Sequence, residues 1–129
     1  MSQKLVVANW KMNGSLAANE ALIDGILELP SVAQQIICPS SVYLPQLAGL
    51  LKGTSIELGA QNMDWRSAGA FTGEISATML SDLSVGYVIV GHSERRSLFS
   101  ESDELCAQKV SAAQDAGVVP ILCVGETKE

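Results

Sequence analysis

The stretch Tyr87-Val88-Ile89-Val90-Gly91-His92-Ser93-Glu94-Arg95-Arg96 decides how the rest of the chain reads. Four apolar residues run without alternation, a glycine breaks the run, and the only histidine of the 129 residues follows at once. An unbroken apolar run of strand length fits a strand buried on both faces, as in a parallel sheet. Ser93 to Arg96 then opens a helical turn. Strand, glycine and helix start together place an imidazole at the carboxyl end of a strand, where chemistry gathers in parallel α/β folds.

Four further apolar runs have the same character: residues 5–8, 36–38, 56–60 and 119–124. Helix-like segments separate them. Ser15 is placed to cap a helix over 15–29, with Leu22, Ile23, Ile26 and Leu27 on one side and Pro30 as its stop. A shorter helix fits 43–51, with Pro45 in the first turn and Gly53 past the end. A third fits 74–83. Ser100-Glu101-Ser102-Asp103 resembles a capping box, opening a helix whose inner face is Cys106, Val110, Ala113 and Gly117. The order is β-α-β-α-β-α-β-α-β, with strand starts roughly 20–30 residues apart, the size of a strand-helix unit. Two architectures fit: an open doubly wound sheet or a (β/α)₈ barrel. The first strand leads into Asn9-Trp10-Lys11-Met12-Asn13-Gly14-Ser15, with neither GxGxxG nor GxxxxGK[ST], so a nucleotide loop is disfavoured. No linker separates a second domain, and residues 1–129 read as one unit.

Composition narrows the function. Hydrophobic residues make up 47% and the net charge is −6. Mean hydropathy is +0.24 and the isoelectric point about 4.6. No stretch concentrates Lys or Arg, which argues against nucleic acid and anionic membrane as partners. No apolar run approaches the ~20 residues of a membrane span, and the first ten residues lack a signal-peptide core; the expected compartment is the cytoplasm. Cys38, Cys106 and Cys123 form no CxxC pair and read as reduced, mostly buried thiols. With one histidine there is no metal-ligand cluster, and no metal is expected.

The strand ends carry the polar residues. Lys11 beyond the first strand is either a point charge for a phosphate or carboxylate, or a surface lysine whose stem covers apolar area. Gln61-Asn62 ends the third strand. His92 sits before backbone N–H groups whose positive partial charge disfavours imidazolium. A neutral ring there can donate to a substrate carbonyl; the alternative is a hydrogen-bonded structural histidine. A serine-hydrolase elbow is rejected, because G-x-S-x-G needs glycine where Arg95 stands. Glu94, Arg95, Arg96, Glu101 and Asp103 read mainly as a salt-bridge network fixing a loop. Glu126, after the fifth strand, is a candidate acid or base whose structural role is favoured. Gly69-Ala70-Phe71-Thr72-Gly73-Glu74 either folds back on its own domain or contacts another subunit.

Taken together, NWKMNG (9–14), GAQN (59–62), GAFTGE (69–74), VGHSERR (90–96) with ESDE (101–104), and CVGE (123–126) resemble the triosephosphate isomerase family, in order and spacing along the whole chain. The resemblance implies part of a TIM barrel, from the first strand to about the fifth. It implies interconversion of dihydroxyacetone phosphate and D-glyceraldehyde 3-phosphate, with no cofactor. Asn9 and Lys11 match substrate-binding residues. His92 matches the electrophile, and this family is the established example of a neutral histidine set by a helix N-terminus. Ser93, Glu94 and Cys123 match supporting residues, and Glu126 and Arg95 structural partners. Phe71, Thr72, Gly73 and Glu74 match a loop that docks into a neighbouring subunit, so a homodimer is expected.

A whole barrel takes about 250 residues and eight strands. The family's base glutamate, lid and phosphate-binding glycines follow the sixth to eighth strands, and these 129 residues hold no counterpart. The expectation is that they do not turn over substrate alone. The alternative is a non-catalytic, self-associating barrel piece, pairing with a second copy or with a complementary C-terminal half.

Overall fold

The computed structural model describes residues 5–30 and 33–124. Five strands, β1 (Leu5–Asn9), β2 (Gln34–Cys38), β3 (Glu57–Ala60), β4 (Tyr87–Val90) and β5 (Val119–Leu122), form one parallel sheet in the order β1-β2-β3-β4-β5. Between them lie α1 (Leu16–Leu27), a 3₁₀ turn at Ser41–Tyr43, α2 (Leu44–Leu51), α3 (Ala77–Asp82), α4 (Ser93–Leu98) and α5 (Asp103–Asp115).

The two faces of the sheet explain why the strands read as unbroken apolar runs. Successive strand residues point to opposite faces. Ile37, Leu58, Val88 and Val90 pack with Ile23 of α1, Leu47 of α2, Leu80 of α3 and Ala113 of α5 in the main core. Ile36, Cys38 and Ile89 form a second cluster, joined by Val7, Tyr87, Ile121 and Cys123. That second cluster draws only on strands and the residue after β5; α1, α2, α3 and α5 all contribute to the first, and only the short α4 contributes to neither. A doubly wound sheet carries helices on both faces and reverses its strand order at a switch point. This sheet does neither, so the open-sheet alternative fails and the barrel pattern stands.

Gly59 sits where the second face is tightest. A Cβ there would lie 2.6 Å from Cys38 Sγ and 3.1 Å from Ile36 Cγ2. Burial pushes the Cys38 thiol up to about 12, so it is an inert packing group.

Several expectations need correction. β1 and β5 are not buried on both faces: Leu5, Val6, Val119 and Leu122 are about half exposed, because these strands pair on one side only among the described residues. β5 ends at Leu122, not 124, and β3 starts at Glu57. α3 begins at Ala77 instead of 74, because Asp64 N–H donates to the Ile75 carbonyl at 2.7 Å and Ser76 then caps the helix through Met79 N–H. The capping box is not made. Ser102 caps α5 through Leu105 N–H, while Ser100 takes a left-handed turn (φ 56°) that sends Glu101 inward. The inner face of α5 also holds Lys109, which is buried. α1 bears out its expected cap, with Ser15 accepting from Ala18 N–H, but it ends at Leu27, and of its expected apolar side Ile23 is buried while Leu22 and Leu27 stay about half exposed. All three cysteines are free thiols. No helix among the described residues is long and apolar enough to cross a membrane.

Candidate active site

The carboxyl ends of β1, β3 and β4 open onto one cavity of about 640 Å³, lined among others by Asn9, Lys11, Gln61, His92 and Glu94. The sequence-predicted residues of three separate strand ends are thus brought together.

The first wall is a strained turn. Lys11 has φ 57°, a conformation that costs a non-glycine residue about 1–3 kcal/mol and persists only where its surroundings enforce it. Three bonds enforce it here. Lys11 N–H donates to Asn9 Oδ1 at 2.9 Å. The Lys11 carbonyl accepts from Ser40 Oγ at 3.0 Å and from Gln61 Nε2 at 2.8 Å. Gln61 Nε2 also donates to the Cys38 carbonyl at 3.0 Å, anchoring the clamp to the end of β2. Further along the loop, Tyr43 Oη donates to the Gly14 carbonyl and Gln46 Nε2 to the Leu16 carbonyl. Asn19, buried in α1, donates to Gln46 Oε1 at 3.0 Å. Gly14 has φ 130°, and a Cβ there would lie 2.8 Å from Asn19 Oδ1, so the loop closes down only on a glycine.

The second wall is the β4–α4 junction. Glu94 N–H, at the start of α4, donates to His92 Nδ1 at 3.1 Å. That bond requires the lone pair on Nδ1, which leaves the ring proton on Nε2 as a donor. Glu94 then joins the walls: Oε1 lies 3.5 Å from His92 Nδ1, and Oε2 holds Lys11 Nζ at 3.0 Å. Lys11 and Glu94 side chains are both about half exposed, so their pairing stabilises by at most about 1 kcal/mol. An anionic ligand can displace Glu94 from the ammonium at small cost.

Beneath this junction lies a buried charge network. Glu101 accepts from Arg95 Nε at 2.5 Å and from Lys109 Nζ at 2.7 Å. Lys109 Nζ also donates to Asn62 Oδ1 at 2.7 Å, tying α5 to the segment after β3. Burial alone would raise the Glu101 carboxyl; the hydrogen bonds from Lys109 and Arg95 outweigh it and hold the group below its ordinary value. Arg96 bonds Asp103 at 2.5 Å and the Gly91 carbonyl at 2.9 Å. The expected loop-fixing network is therefore present for Arg95, Arg96, Glu101 and Asp103, whereas Glu94 belongs to the cavity.

Ser93 is the exposed first residue of α4. Cys123 is part-buried against the second-face cluster, its thiol pushed up by burial. Glu126 lies outside the described residues. In the 69–74 loop, Arg66 stacks on the Phe71 ring at 3.4 Å while bonding both carboxylate oxygens of Asp64 at 2.9 and 2.7 Å. The aromatic side chain thus packs on its own loop, though it stays 37% exposed, with Thr72, Gly73 and Glu74 exposed beside it. Asp64 is pulled down to about 2, chiefly by its hydrogen bond from Arg66.

Sequence reasoning missed Ser40 and Lys109 and gave Gln61 no role. Lys109 carried a signal, a charge at the i+3 position of an otherwise apolar helix stripe opposite Glu101. Ser40 carried none, because its partner is a backbone carbonyl 29 positions away.

Residues 4–129 match the family model for triosephosphate isomerase. A triosephosphate isomerase of Nitrosococcus oceani is 50% identical over 130 residues, covering 98% of this chain and 52% of that protein. One from Albidiferax ferrireducens is 54% identical over 129 residues, with the same coverage. The crystal structure of triosephosphate isomerase from Bartonella henselae superposes with a TM-score of 0.87 at 40% identity, over 98% of this chain and 53% of that one. The chain spans about half the length of the curated relatives it matches. On the strength of a family match that runs almost end to end, over a sheet and cavity of the corresponding form, the chain belongs to the triosephosphate isomerase family.

Proposed function

We propose that this chain supplies the electrophilic and substrate-binding side of a site that interconverts dihydroxyacetone phosphate and D-glyceraldehyde 3-phosphate. The observation that carries this reading is His92 Nδ1 accepting the Glu94 N–H, which leaves Nε2–H free to donate within a cavity that also holds Lys11 and Asn9. Nε2–H polarises the substrate carbonyl, and Lys11, released from Glu94, balances the phosphate and the charge developing on the enediolate oxygen. Asn9 keeps the Lys11 turn in place and offers its amide to the same cavity. No redox or metal chemistry is called for, since the reaction only moves protons.

The carbon acid needs a base within hydrogen-bond reach, a contribution of about 10²–10⁴-fold. In the family that base follows the sixth strand, past the five strands of this sheet. The reading therefore assigns no turnover to the 129 residues by themselves. It assigns turnover to the same residues joined to the remaining strands of a relative such as the Nitrosococcus oceani protein. In that joined chain His92→Asn should lower kcat by about 10²–10⁴-fold, and Lys11→Met should raise KM more than any residue outside the cavity. An unchanged kcat for His92→Asn sinks the proposal.

A second copy is part of the reading. Met12, Val42, Leu98 and Phe99 are all more than 60% exposed, and Met12, Leu98 and Phe99 line the cavity mouth. With Phe71 they give exposed apolar side chains, and with the exposed Thr72, Gly73 and Glu74 beside it a surface suited to a homodimer. A phosphorylated triose as substrate fits a cytoplasmic setting. The second reading, a self-associating piece without catalysis, draws on the half-exposed apolar strands β1 and β5; it predicts stable association and no turnover even in the joined chain.

A further inference from the structure

A second cavity, of about 540 Å³, lies outside the site just described and shares no lining residue with it. The segment 65–71 forms one side, with Trp65 and Phe71; the start of α3 and the end of α5 form the other, with Ala77, Ala112 and Ala116. Its size falls in the range of small-molecule sites, which are largely apolar with a few placed polar groups. Three alanines leave the space open, since any longer side chain at those positions would fill it.

The charges at this cavity do not balance. Arg66 is already committed to Asp64 and to the Phe71 ring, and its guanidinium also lies 5.6 Å from the centre of the Trp65 ring. Asp115, the last residue of α5, lines the cavity and enters none of the ion pairs among the described residues. It stands in the last turn of a helix with no basic residue there, so its carboxylate adds to the negative end of the helix dipole. An unpaired carboxylate at a helix C-terminus, beside a half-exposed tryptophan and an alanine floor, is a receptor for positive charge on an apolar body.

We infer that this cavity binds a small organic cation of the arylalkyl-ammonium class, its ammonium on Asp115 and its apolar body against Trp65 and the alanines. The ammonium gains an exposed ion pair with Asp115, so the cation should be preferred over a neutral isostere by up to about fivefold. Neutral and anionic isosteres lack the Asp115 contact.

The test is a titration of the ¹⁵N-labelled chain with benzylammonium, and in parallel with benzyl alcohol, followed at the Trp65 indole N–H. Trp10, the only other tryptophan, serves as internal reference. Benzylammonium should shift Trp65 and bind about fivefold more tightly, without moving the His92 ring signals. Asp115→Asn, an exposed and fold-neutral change, should bring the two probes within about twofold of each other. Ala116→Leu should abolish both shifts by filling the cavity, and it decides the matter alone if the Asp115 variant does not fold. Equal affinity for the two probes, a preference that survives Asp115→Asn, or no Trp65 shift at millimolar probe overturns the inference.

Discussion

Gly59 shows how much of this fold turns on single atoms. Adding one methyl group places it 2.6 Å from Cys38 Sγ, and neither group can move far, since Cys38 is paired with Asn9 and Gly59 with Tyr87 in the sheet. Gly59→Ala should lower stability by about 1–3 kcal/mol, the usual cost of overpacking, read as a shifted urea midpoint with an unchanged slope. Cys38→Ala in the same chain should return part of that loss, because the two residues compete for one space. Asp64 gives a titratable counterpart. Its carboxyl is held at about 2 against an ordinary 3.8. A depressed carboxylate contributes stability that is present in full above its unfolded value. That stability is lost as pH falls through the folded one. Asp64 should therefore add an acid-side slope between about pH 4 and pH 2, and Asp64→Asn should flatten the denaturation curve there. The candidate residues Asn9, Lys11 and His92 were legible in the sequence because strand-end polar residues stand out against apolar runs. What was not legible was the Lys11 backbone: a left-handed lysine follows from Ser40 and Gln61 contacts that no local pattern encodes.

Helices and strands were legible where a local rule decides them and misplaced where a distant contact does. Ser15 and α1 follow from capping and spacing alone. α3 was drawn three residues too early because the bond between Asp64 N–H and the Ile75 carbonyl, which delays its start, joins two segments separated by the whole 65–74 loop. α5 hid its most consequential residue. Lys109 and Glu101 side chains are only 5% and 2% exposed and pair at 2.7 Å. Removing one partner of a buried pair strands the other charge in a low-dielectric site, at about 3–5 kcal/mol. Glu101→Leu should therefore be among the most destabilising single changes in the chain, seen as a large drop in thermal midpoint. Lys109→Met in that background should recover a substantial part, since no unpaired ammonium is then buried. Recovery would assign the cost to the stranded charge instead of to lost packing.

Across the molecule, five strands in sequential order with α1, α2, α3 and α5 packed on one face account for both the barrel character and the exposed outer strands β1 and β5. The same arrangement sets the Lys11 cation beyond β1 against the His92 imidazole beyond β4 through Glu94 of α4, three residues that sequence alone could list but not join. The ring of His92 can be examined without ambiguity, because it is the only histidine present. The decisive measurement is the ¹⁵N spectrum of that imidazole at neutral pH, with long-range correlations to the ring carbons' protons. Nδ1 should be pyridine-like, accepting from Glu94 N–H, with the ring proton on Nε2. A proton found on Nδ1 would contradict it, since that ring could not accept the Glu94 N–H.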